Sequence, residues 1–173
     1  FMIGVVVPRP IAFVSTISGD GAFNVAPFSY FNAITNRPPL VGLSINRRAG
    51  QGKETARNIQ ETGDFVENVV WEALLERAVR ASGDWAKEVD EFELTGLTPV
   101  ESDLVRSPRV GESPVSLGCR LHRVIELGDA HFTVGEIVLA HVADEVLTDG
   151  RVDVAELGPA GPLGGDGYST VRA

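Results

Sequence analysis

Arg47, Arg48, Lys53 and Arg57 gather in one short stretch of a chain whose formal net charge is −9. Lys53 also opens a run with Ala56, Ile59 and Gln60 on one helical face and Gly63 at the left-handed stop, a pattern that predicts a helix over Lys53–Thr62 with Thr55 near its N-cap. A helix start presents unpaired N–H groups and the positive end of the dipole, so it favours an anion. Lys53 and the Thr55 hydroxyl complete a phosphate cradle there. Screening acts over roughly 8 Å at physiological salt, so a local basic patch outweighs a distant acidic surface. Glu54 stabilises the same dipole and competes in part with a phosphate. A capped surface helix beside a solvated basic loop fits these residues equally well, and short motifs alone do not decide between the two.

The elements that must hold this cradle are mostly strands. Ile11–Ile17 is β-rich and ends at Ser18-Gly-Asp-Gly21, a tight hairpin turn. The return segment Phe23–Ala33 contains Pro27, which cannot donate a ladder hydrogen bond and marks an edge, a bulge or a loop. Pro38-Pro39 stop it, Leu40–Ile45 resumes a buried strand, and Asn46–Gly52 reads as a polar loop. Beyond the helix come a strand, Asp64–Val70, and an amphipathic helix, Glu72–Ala81. Val89–Pro114 reads as mostly irregular. Val115, Leu117, Cys119 and Leu121 alternate with polar residues as in a half-buried strand, and Glu126–Ala130 supplies a turn. His131–His141 returns with apolar residues on both faces, so a barrel core on one side and another subunit on the other are expected. The tail from Leu157 to Ala173 reads as a loop packed back on the body.

A chain of 173 residues fits one domain, 1–173, with a single sizeable core. Glycines and prolines at the joints between apolar runs point to a mainly β plan with a few helices. The acidic balance argues against nucleic acid and anionic membrane surfaces as partners. No apolar stretch approaches the roughly 20 residues of a membrane span, and no signal peptide is visible. The single Cys119 excludes an internal disulfide, which fits a reducing, cytoplasmic setting. His122, His131 and His141 lie on separate strand positions without companion cysteines, so no metal site is expected. Packing accounts for Cys119, Trp71 and Trp85.

Several motifs occur together in order: Pro8-Arg-Pro-Ile-Ala-Phe-Val-Ser-Thr16, Gly21–Asn24, Ala26-Pro-Phe-Ser-Tyr-Phe31, Pro38-Pro39, Lys53-Glu-Thr55 with Asn58-Ile59, and Gly164-Gly165 before Tyr168. Over about Val5–Tyr168 this sequence resembles the flavin reductase-like family, including flavoredoxin-type proteins. The resemblance implies a split β-barrel of Greek-key type with a few short flanking helices, a homodimer, and FMN bound near the subunit interface. It sets Ser15 and Thr16 beside the flavin, with Asn24 close by, and gives Ala26, Pro27, Phe28, Ser29 and Phe31 to the isoalloxazine edge. Arg48, Lys53, Glu54, Thr55 and Asn58 fall at the phosphate, and Tyr168 covers the flavin. His131 and Tyr168 face the substrate side, toward nicotinamide. Two departures stand out: Ala130 separates Gly128-Asp129 from His131, and Pro162 replaces the arginine usual before Leu-Gly-Gly.

The activity implied is hydride transfer from NAD(P)H to FMN, followed by release of reduced flavin to a monooxygenase or electron transfer to another acceptor. The cofactor carries that chemistry, so no catalytic side chain is assigned. The alternatives are an FMN-binding electron carrier or flavin store without NAD(P)H turnover, and a dimeric scaffold that binds no flavin.

Overall fold

The structure is a computed structural model that describes residues 1–47, 53–83, 85 and 89–171. After a short helix α1 (Met2–Val5), strands β1 (Ala12–Ile17), β2 (Phe23–Phe28), β3 (Phe31–Asn36) and β4 (Pro39–Asn46) form two hairpins. Helix α2 (Glu54–Thr62) leads to β5 (Asp64–Val69), and α3 (Leu75–Ala81), preceded by a 3₁₀ turn at Glu72–Leu74, to α4 (Glu91–Thr95). The short strands β6 (Pro99–Val100) and β7 (Arg109–Val110) precede the long hairpin β8 (Val115–Leu127) and β9 (Ala130–Val142). The chain ends with a small ribbon, β10 (Leu147–Thr148) and β11 (Arg151–Val152), then α5 (Val154–Leu157) and a hairpin of β12 (Ala160–Pro162) and β13 (Tyr168–Thr170).

Seven strands pair in the order β2-β1-β5-β8-β9-β4-β3. The chain therefore crosses from β4 to β5 through α2, which brings β1 and β5 together antiparallel. The sheet curls into a split β-barrel, closed near its two edges where the Ser44 amide donates to the Tyr30 carbonyl at 2.8 Å. Alternation along β1 feeds two cores. Ala12 and Val14 join Leu43, Ile45 and Phe65 inside the barrel, and α2 covers that core with Ala56 and Ile59. Phe13 points the other way, to a second core with Val25, Ala78 and Phe92 under α3 and α4. Each fully buried Phe contributes about 2–3 kcal/mol of transfer free energy.

Of the edge, bulge or loop that Pro27 left open, the structure has the edge: β2 runs through it, at the border of the sheet where a missing N–H is tolerated. Two other expectations change. Within 89–114, Asp90 caps α4 by accepting from the Phe92 and Glu93 amides, and the segment before β7 is pinned to β5, where Asp64 accepts from the Arg106 and Ser107 amides. The tail is a helix and a hairpin, with the Ala160 amide donating to the Val70 carbonyl and the Arg9 amide to the Pro162 carbonyl.

Candidate functional site

Helix α2 begins at Lys53, where no side chain caps the start among the described residues, and ends at Gly63 with φ +79°. Its first amide groups are therefore open to an anion, as at any helix start without a side-chain cap. Lys53 is exposed, and its Nζ lies 5.1 Å from the centroid of the Phe28 ring, a cation–π distance. A positive helix start, a lysine and the unpaired edge of β2 thus meet in one place.

Under this surface lies a buried polar cluster. The Thr55 hydroxyl donates to Asn24 Oδ1 at 2.9 Å, and Asn58 Nδ2 donates to Thr16 Oγ1 at 3.1 Å. Asn24 Nδ2 in turn donates to Glu91 Oε1 at 3.2 Å. Burial raises the Glu91 carboxyl above the usual range, and the nearby Glu54 charge adds to the effect. Among the described residues Asn58 Oδ1 is buried without a partner, so one acceptor of the cluster remains to be satisfied. The expected phosphate residues are therefore brought together, but Thr55 and Asn58 spend their side chains on β1 and β2 rather than on the surface. Glu54 is held by Arg57 Nη2 at 2.7 Å, which draws its charge along the helix.

Ser15 and Thr16 separate, as neighbours on a strand must. Thr16 joins the cluster beneath α2, whereas Ser15 faces the opposite side of β1, donating to the Pro108 carbonyl and accepting from Asn68 Nδ2 at 3.0 Å. Asn68 anchors that side: it also donates to the Phe13 carbonyl, and its Oδ1 accepts from the Val110 amide and the Ser116 hydroxyl. The Ser15 side chain has no surface to offer a ligand. Phe28 is 6% exposed and, with Ala26 and Phe31, packs on the barrel core, so what β2 presents outward is chiefly backbone. Pro27 sits between them, half-buried. Ser29 Oγ accepts from Arg9 Nε at 3.3 Å, and Arg9 Nη1 donates to the Ile3 and Val6 carbonyls, which ties the N-terminal segment to this corner. Arg9 was legible only as part of the Pro-Arg-Pro motif.

His131 is the second residue of β9 and lies in the groove beside Ala56, Arg57 and Gln60 of α2. Its Nε2 lies 3.1 Å from Arg47 Nε, and Arg47 Nη2 pairs with Glu126 at 2.8 Å. Tyr168, 40% exposed, pairs with Pro162 in the terminal hairpin and, among the described residues, makes no hydrogen bond or ring contact to His131, Lys53 or Phe28. The structure does not join the two residues expected on the substrate side. Arg48 lies outside the described residues.

A family model, the flavin reductase like domain, matches residues 4–157. The chain belongs to the flavin reductase-like family. It is 41% identical over 96% of its length to an uncharacterized protein of Aquifex aeolicus (strain VF5), covering 86% of that protein. Among solved structures, nitrilotriacetate monooxygenase component B from Bacillus cereus superposes with a TM-score of 0.96 at 34% identity, over 99% of this chain and 88% of that one. Flavoredoxin of Desulfovibrio vulgaris (Miyazaki F) superposes with a TM-score of 0.88 at 28% identity, over 97% and 89%.

Proposed function

We propose that this flavin reductase-like protein binds one FMN per chain at the start of α2 and along β2, and uses it to accept hydride from NAD(P)H. The observation that carries the reading is the uncapped start of α2, with Lys53 poised over Phe28 beside the sheet edge. Lys53 and the first amides of α2 hold the phosphate. Backbone groups of Ala26–Phe28 and the Ser29 hydroxyl hold the polar edge of the ring. The cluster of Thr16, Asn24, Thr55 and Asn58 fixes the distance between α2 and β2, so these residues position the cradle rather than touch the ligand. FMN, when bound, supplies a hydride acceptor at N5. The reading extends to a cytoplasmic homodimer that hands electrons to a separate monooxygenase or another acceptor, as the likeness to a monooxygenase component suggests.

One observation favours a second reading, an FMN-binding electron carrier without NAD(P)H turnover. His131 is engaged by Arg47 and Tyr168 stands apart, so among the described residues of one chain these two do not converge on a nicotinamide. Anaerobic mixing of FMN-loaded protein with NADH, and separately with NADPH, distinguishes the two. Loss of flavin absorbance with either donor supports the reductase; flavin that binds and stays oxidised with both supports the carrier.

A further inference from the structure

Glu67 lies on β5, opposite Val14 of β1 and Leu117 of β8, on the face that carries Phe65 into the barrel core. Strand alternation therefore turns a carboxyl group inward, and the residue is 2% exposed. Among the described residues this carboxyl has no hydrogen bond and no ion pair. It opens instead on a cavity of about 570 Å³ between the N-terminal segment, the barrel end and the terminal hairpin, walled largely by apolar side chains such as Phe31, Val41, Ile137 and Leu157. That volume suits a small organic molecule. A buried carboxyl without a partner costs several kcal/mol, which a ligand group or a water must offset.

We infer that this cavity is a binding site for a small, uncharged, apolar molecule bearing one carbonyl-type oxygen, which the Glu67 carboxyl recognises by hydrogen bonding. The donor is the acid's own O–H, because burial alone pushes Glu67 up to about 8 and keeps it protonated at neutral pH. The charged group facing the cavity from the N-terminal segment is Arg9, whose guanidinium is engaged by Ile3, Val6 and Ser29 rather than by Glu67. From β8 the buried Cys119 thiol faces Glu67, itself pushed up by burial and by Glu67, and so neutral. Ser169 adds a hydroxyl from the terminal hairpin. Among the described residues no cation pairs with Glu67, which favours a neutral acceptor over an anionic ligand. Neither Lys53 nor Ala26–Ser29, which carry the proposed flavin site, lines this cavity.

The test is calorimetric titration of the protein in excess FMN with a matched series: 2-acetylnaphthalene, 2-ethylnaphthalene and 1-(2-naphthyl)ethylamine. The ketone is expected to bind roughly tenfold tighter than the hydrocarbon at neutral pH, one hydrogen bond's worth, and to lose that advantage as pH rises past about 8. Glu67→Gln, whose amide N–H still donates, keeps the preference at every pH; Glu67→Leu abolishes it. Equal binding of ketone and hydrocarbon, a preference for the amine at neutral pH, binding of no member of the series, or displacement of the ketone by FMN each overturns the inference. The wild-type comparison needs no variant, so a misfolded mutant leaves the test intact.

Discussion

Two neighbouring residues of β5 make opposite contributions. Glu67 has a folded-state pKa of about 8 against an ordinary 4.5, so the folded chain keeps its proton where the unfolded chain loses it. Its contribution to stability is therefore neutral below about pH 4.5 and becomes progressively unfavourable as pH rises to about 8, roughly 3–5 kcal/mol in all. Denaturant unfolding across this range should show Glu67→Gln overtaking the wild type as pH rises, with little difference at the acid end; parallel curves would contradict the assignment. Asn68 faces the other way and satisfies four buried partners, on Phe13, Ser15, Val110 and Ser116. Asn68→Ala should cost about 3 kcal/mol or more in the same measurement, because it strands those groups in the core. Neither role was legible in the sequence. Val-Glu-Asn-Val within a strand reads as ordinary alternation, and only burial of both sheet faces turns its polar residues inward. That Lys53, Thr55 and Asn58 gather at the start of α2 was legible, but not that Thr55 and Asn58 turn inward, since their partners on β1 and β2 are distant in sequence.

Elements announced by local chemistry matched well. Gly63 stops α2 at φ +79°, a conformation that glycine adopts freely, so Gly63→Ala should cost about 1 kcal/mol of thermal stability. Gly135 on β9 is different: a Cβ there would lie 2.4 Å from the Phe65 ring, in the packed barrel core. Gly135→Ala should destabilise by roughly 1–3 kcal/mol through overpacking, and a neutral result would mean that Phe65 moves aside freely. What the sequence hid were elements that depend on tertiary partners. The strands β6 and β7 carry two residues each, too few for a periodic signal, and the terminal hairpin exists because Val70 and Arg9 supply its hydrogen bonds. Pro27 was legible as an edge marker but not as a member of the edge strand itself.

At the scale of the whole molecule, β3 is an exposed edge strand, and Ile34 and Tyr30 stand 43% and 39% exposed beside the apolar N-terminal residues. Such an edge invites pairing with a second chain. Sedimentation should give about twice the 18.5 kDa chain mass, and Ile34→Lys should shift it toward the monomer. On the proposed function, the start of α2 and the edge of β2 form a flavin site. Titrating flavin-free protein with FMN, followed by flavin fluorescence, tests it most directly. One FMN per chain is predicted, with Lys53→Ala weakening binding by about tenfold, the scale of one charge-assisted contact to phosphate. Failure to bind FMN, or binding indifferent to Lys53, would contradict the account.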